Sequence, residues 1–253
     1  MLFAMCCCTR EKIDQTVIPV NTKVDITIDG LAVTSILLRP FLVMSTSLDI
    51  RLHDQLSNFG LPIEDQELSE KLLLEGIHVV LIDTVDVPAI VASMGEIINE
   101  EFVWHGQIHA WRDIRQRVIP RGGMLITAEG IPYLVEGGYL SILARSWLVN
   151  REDGDFVYLQ TLPTWHMPSA RSGLFGKSEN VVQKKIFSDL NLEAMLVDSQ
   201  ALLIAVELAP TSSSTGPFDG GKPAVRLGEA LMGGPVTERV IAILVLEANL
   251  QSH

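Results

Sequence analysis

MLITAEGIPYLVEGGYLSILARSWLVNREDGDFVYLQTLPTW, residues 124–165, is the stretch that decides the fold class. Short β-rich runs are separated by Glu129-Gly130, Glu136-Gly137-Gly138 and Asp153-Gly154. Glycine reaches positive φ without a Cβ clash, so tight turns between strands favour it. The spacing predicts four consecutive strands at about 124–128, 131–135, 139–149 and 155–162, an antiparallel meander of hairpins. Trp147 shares a face with Leu143 and Val149 and is expected in the core.

Upstream, Val24, Ile26 and Ile28 alternate with Asp25, Thr27 and Asp29, a half-buried strand that ends in the Asp29-Gly30 turn. Residues 31–38 form its hairpin partner, and Arg39-Pro40 is expected to end that run because proline has no N–H to give a ladder. From there the chain reads as helical, with Pro62 opening a helix whose first turn carries Glu64, Asp65 and Glu67. Glu67 and Lys71 are spaced as an ion pair, Leu68, Leu72 and Leu73 form the apolar stripe, and Gly76 suits the position just past the end. IHVVLID, residues 77–83, reads as a strand buried on both faces. Asp86 then caps a second helix, with Pro88 in its first turn and Ile90, Met94, Ile97 and Ile98 on its apolar side.

Downstream, residues 163–180 are loop-like, VVQKKIF (181–187) is a strand, and Asp198-Ser199-Gln200 breaks two apolar runs as a hairpin turn. Residues 209–224 form a second, Gly/Ser/Pro-rich loop, followed by a short helix over 225–232 and a last strand over 238–248. The expectation is an α+β fold, mainly antiparallel sheet with two or three helices, as one continuous domain over 21–253 behind a flexible tail of residues 1–20.

With 253 residues, 47% of them hydrophobic and 20% charged, the chain can bury a substantial core. A formal charge of −12 without a basic stripe argues against a nucleic-acid partner, since phosphate neutralisation needs clustered Lys and Arg. No stretch reads as a transmembrane helix; residues 31–44 come closest and are interrupted by Arg39-Pro40. The three cysteines are consecutive, Cys6 to Cys8, which excludes a disulfide across the fold. An apolar run directly before Cys6 makes that residue a candidate for lipidation, although no basic segment precedes it.

His105 and His109 have the spacing of a zinc-protease pair, but Gly106 stands where the general-base glutamate belongs. Residues 102–111 alternate with period two, so both imidazoles are expected on the polar face of a strand, with Glu100, Glu101 or His166 as candidate further ligands. Two solvated histidines are the plainer account. Gly176-Lys177-Ser178 resembles the end of a phosphate loop, but Arg171 occupies the place of its first glycine. The acidic pairs fall at helix ends and a hairpin loop, and there is no nucleophile elbow. Trp165 and Met167 are the candidate anchors for a protein partner, the alternative being that Trp165 plugs the end of the sheet.

SLDIRLHDQ, ELSEKLLLEGIHVVLI, VWHGQIHAW and the glycine-rich run ending in YLQTLP together resemble a planctomycete bacterial family with no assigned activity, over most of residues 45–165. The resemblance implies a bacterial source and favours an envelope address over a cytoplasmic one, and brings no catalytic residue with it. The expected role is a non-catalytic structural or protein-interaction module without a cofactor, tethered to a membrane if Cys6 is acylated. The alternatives are a small-ligand or metal-binding protein using His105, His109 and Glu101, and a hydrolase with a dispersed site.

Overall fold

The computed structural model describes residues 35–45, 52–167, 184–208, 224–233 and 236–250. All of them belong to one compact unit, Ala32–His253. The tail of residues 1–20 with Cys6, the alternating stretch 21–30, the Gly176-Lys177-Ser178 segment and the loop from 209 to 223 lie outside the described residues.

A seven-stranded sheet forms the centre, in the order β2 (Leu61–Pro62), β3 (His78–Asp83), β13 (Gln200–Leu208), β15 (Val240–Asn249), β1 (Ser35–Ser45) and β4 (Gly95–Glu100). A further strand, β5 (Val103–Gly106), pairs with β1 beside β4. A five-stranded sheet runs β11 (Lys184–Ile186), β10 (Gly154–His166), β9 (Tyr139–Arg151) and β6 (Ile108–Val118), with β12 (Leu192–Leu196) also on β10. The third sheet holds β14 (Val225–Arg226), β7 (Met124–Ala128) and β8 (Ile131–Val135). Apart from β14 with β7, the strand pairs among the described residues are antiparallel. There are four described α-helices, one beyond the expected two or three: α1 (Leu52–Ser57), α2 (Gln66–Leu74), α3 (Val87–Met94) and α4 (Leu227–Met232).

The apolar runs of β13 and β15 read as buried strands, and their period-two alternation divides them between two cores. Ile241, Ile243 and Val245 pack with α1 and α3 on one face. Ala242, Leu244 and Leu246 pack on the other face with the smaller sheets, α2 and α4.

The α+β class and the mainly antiparallel sheet stand as expected. The hairpins β7–β8 and β9–β10 fall where the glycines place them, but in two different sheets. Similarly, β12 and β13 do not pair with each other: the turn at Asp198-Ser199 carries the chain from one sheet into another. Trp147 is half-buried rather than core.

Helix α2 begins after Pro62, which lies in β2; Asp65 is the N-cap, its side chain accepting from the Leu68 N–H at 2.9 Å. Leu68 and Leu72 are buried, Leu73 is exposed, and Glu67 meets Lys71 at 2.7 Å. Gly76, at φ +75, ends it with two bonds, Gly76 N–H to the Leu73 carbonyl and Ile77 N–H to that of Leu72. That is the Schellman pattern. Asp86 stands at the start of α3 without a side-chain capping bond, although Pro88 does lie in the first turn.

Two prolines depart from the expectation that they end strands. Pro40 lies inside β1 and Pro163 inside β10, so the loop placed from 163 starts only after His166. A residue in an antiparallel ladder directs its N–H and C=O to the same side. The Pro40 carbonyl accepts from the Glu101 N–H at 3.1 Å, at the break between β4 and β5. The Pro163 carbonyl accepts from the Phe187 N–H at 3.2 Å, at the break between β11 and β12. Each missing donor therefore points at a gap where no strand needs it.

Candidate interaction surface

The surface that stands out is the β4–β5 edge of the large sheet. Helix α3 ends at Gly95, which enters β4 directly at φ +148, where a Cβ would lie 2.0 Å from the Met44 carbonyl oxygen. Only glycine permits this close turn against β1. Ile97 and Ile98 therefore leave the helix face on which the periodicity placed them and lie on an edge strand. Five large apolar residues within 97–104 are solvent-exposed: Ile97 45%, Ile98 54%, Phe102 54%, Val103 37% and Trp104 48%. Among the described residues, no strand pairs with β4 on the side away from β1.

Arg39 anchors this edge from β1. Its guanidinium donates to Glu100 and Glu247, each at 2.8 Å, and lies 4.8 Å from the Phe102 ring centroid and 5.2 Å from that of Phe41. Burial of the guanidinium works to lower its pKa, but the hydrogen bonds to Glu100 and Glu247 outweigh this and the net shift is upward. The cation thus fixes Glu100 and carries Phe102 on its face. Glu96 and Glu101 are exposed, and among the described residues neither is in an ion pair.

Beyond Trp104 the chain bends. Gly106 has φ +62, and the Trp104 indole lies 3.3 Å from where its Cβ would be. The alternation expected across 102–111 breaks here, leaving His105 on β5 of the large sheet and His109 exposed on β6 of the five-stranded one. His105 is half-buried with no partner for Nε2, and its pKa is lowered by burial and by nearby Arg112. Glu101 sits between β4 and β5, its carboxylate accepting from the Asn99 side-chain amide at 3.2 Å. No group of three His, Cys, Asp or Glu side chains suited to a metal occurs among the described residues.

Trp165, expected in a loop, is part of β10. It is half-buried on the main core, and its indole N–H donates to the Gly137 carbonyl at 2.8 Å, so it plugs the end of the sheet. Met167 follows, half-buried beside Gly137. His166 stacks on Tyr139 at 5.1 Å between centroids.

On the five-stranded sheet, Arg145 lies between the rings of Trp111 and Trp147, at 4.7 and 5.3 Å. Its Nε donates to Gln160 at 2.5 Å, Gln160 donates on to Glu193 at 2.5 Å, and the Tyr158 hydroxyl donates to the same carboxylate. The Tyr158 pKa is pushed up to about 12, by burial and then by Glu193. These groups bond to one another, which makes the cluster a cross-strand brace.

Between the sheets is an apolar cavity of about 20 Å³ lined by residues such as Leu72, Ile142, Leu192 and Met232. That is about the space of one water, with a mostly apolar lining that includes Thr161, whereas ligand pockets usually span ~300–1,000 Å³.

The edge was hard to find in the sequence because Ile97 and Ile98 also fit the helical period running on from Ile90 and Met94. The available signal was Gly95 followed by the non-periodic run Glu-Ile-Ile-Asn-Glu-Glu. Comparison with protein-family models, with curated proteins and with solved structures finds no match.

Proposed function

We propose that this protein is a non-catalytic interaction module that engages a protein partner through the β4–β5 edge. The observation that carries the reading is the run of exposed apolar residues from Ile97 to Trp104 on a strand edge left open among the described residues. Edge strands offer unpaired N–H and C=O groups, and exposed apolar side chains there mark either an aggregation hazard or a recognition surface. Arg39, held by two carboxylates, gives Phe102 a fixed seat, which lowers the entropy cost of using that ring as an anchor.

The partner meets the chain at a bacterial envelope in the fuller form of the proposal, with Cys6 as the lipid attachment point. This part rests on the sequence alone. Intact mass of native protein from membrane and soluble fractions tests it: an acyl adduct on Cys6 supports tethering, and an unmodified soluble chain removes it.

For the edge itself, a photo-crosslinking residue placed at Ile98 and, as a control, at exposed Leu134 is the direct test. The expected result is one recurrent protein adduct from position 98, absent from position 134 and lost on adding Phe102→Ala and Trp104→Ala. Equal labelling from both positions, or labelling indifferent to the two alanines, would overturn the assignment.

A further inference from the structure

Resting on the edge as the interaction surface, the distribution of charge along it says what kind of chain fits. We infer that β4 takes up an extended, basic segment of a partner protein as an added strand, with Lys or Arg flanking a short apolar core. Glu96 and Glu101 bracket Ile97 and Ile98, and both are exposed and outside any ion pair among the described residues. Glu100 is already paired with Arg39, which it shares with Glu247. The unmatched charge at the edge is thus negative.

Strand addition supplies affinity through main-chain hydrogen bonds, and side chains on alternate faces supply selection. β4 carries a bulge against β1 that leaves Ile98 as the extra residue, so Ile97 and Glu100 lie on the face of Val43 and Phe41 while Glu96 and Asn99 lie on the face of Met44 and Leu42, and Ile97 and Ile98 are both exposed. An added strand would therefore meet Ile97 and the bulged Ile98 at its centre, so its own centre should be apolar. Its ends would meet Glu96 and Glu101.

A second copy of this chain fits poorly. Antiparallel self-pairing of β4 would bring the Glu96, Glu100 and Glu101 of each copy to the other, and like charges facing each other across a sheet oppose pairing. The whole chain, at −12, repels its own kind in the same sense.

The test uses the full chain and two fluorescein-labelled peptides of about ten residues, a usual strand length. One carries Lys or Arg at both ends of a central run of Val and Ile, and the other carries Glu in place of each basic residue. Anisotropy titrations at low and high salt give affinity, and hydrogen exchange of the β4 amides gives location. The expected result is binding of the basic peptide, weakened by salt, with slowed exchange at β4. The Glu96→Lys/Glu101→Lys variant alters only exposed side chains and should bind the basic peptide about tenfold more weakly, and gain binding of the acidic one.

Equal binding of both peptides with protection at β4 would overturn the basic partner while leaving the edge in use. Protection elsewhere would overturn the site. An edge protected without peptide, in a sample that sediments as a dimer, would overturn the partner in favour of a second copy. No binding by a monomeric chain would also overturn the inference, and the photo-crosslinking test, which is indifferent to charge, would then decide separately whether the edge meets a protein at all.

Discussion

Acidification from pH 7 to 5 should destabilise this protein largely through one side chain, His78. It opens β3 opposite Ala205, half-buried, with Nδ1 enclosed and unpartnered. Burial, then the neighbouring charges of His53 and Arg226, drive its pKa down to about 4, with Glu207 opposing them. The His53 ring on α1 is 6.0 Å away. An unfolded chain takes up the imidazole proton near the ordinary value of about 6.5, so the unfolded state binds it first. Stability that is present above pH 6.5 is therefore lost as pH falls through 6.5 and on toward 4. Each pH unit of such a gap is worth about 1.4 kcal/mol, so the full effect is about 3 kcal/mol and the part between pH 7 and 5 is about 2. Partial solvent access reduces the latter to about 1–2 kcal/mol.

The matched variant is His78→Leu, which keeps the bulk and carries no proton. Urea unfolding followed by tryptophan fluorescence at pH 7 and 5 gives four stabilities and one double difference. His105 and His166, whose pKa values are also lowered, are present in both proteins and cancel. The wild type should lose about 1–2 kcal/mol more than the variant over this interval. An identical pH dependence in the two proteins would refute the reasoning, because it would mean that His78 accepts its proton in the fold as readily as in the unfolded chain.

Arg39→Ala should cost about 2–3 kcal/mol in denaturant unfolding, since it strands two half-buried carboxylates, Glu100 and Glu247; a loss below about 0.5 kcal/mol would mean solvent replaces the cation freely. Gly138 and Gly130 share a positive φ, at +77 and +72, but only the first is crowded, with a Cβ meeting the His166 carbonyl oxygen at 1.9 Å. Gly130→Ala should therefore cost about 1 kcal/mol of backbone strain, and Gly138→Ala more than about 3 kcal/mol, compared by thermal melting; equal costs would refute the distinction. Added zinc should leave the melting temperature of the full chain unchanged, and a rise that disappears in His105→Ala/His109→Ala would restore the metal-binding alternative.

Local structure was legible wherever a turn residue punctuated a clear period. Gly130, Gly138 and Gly154 mark the hairpin strands to within a few residues, and Gly76 marks the end of α2 because the Schellman bonds need its positive φ. Partnership between strands was not legible. Val197 to Gln200 has the composition of a hairpin turn, but whether β12 and β13 pair or part depends on faces supplied by β10 and β15, which are distant in the sequence. The β4–β5 edge was missed for a different reason. Over the few residues from Ile90 to Ile98 a helical period and a strand period both account for the isoleucines, and the deciding contact, Gly95 against Met44, is long-range. His105 and His109 drew notice by residue type, while the apolar neighbours that define the surface did not.

The two prolines also bear on how this fold can vary. At Pro40 and at Pro163 the chain opposite can leave the sheet and rejoin it without stranding a backbone donor, so each proline is a splice point. What loops out between β4 and β5, or between β11 and β12, is freed from the ladder's two-residue arithmetic and can change in length while both flanking strands keep their register. Moving either junction along the long strand is another matter, because a neighbour would then face a ring where it needs an N–H. Insertions should accordingly be accepted at residues 101–102 and at the exposed Ser188 and Asp189, between the buried Phe187 and Leu190, which makes these the places to graft a new loop onto this scaffold.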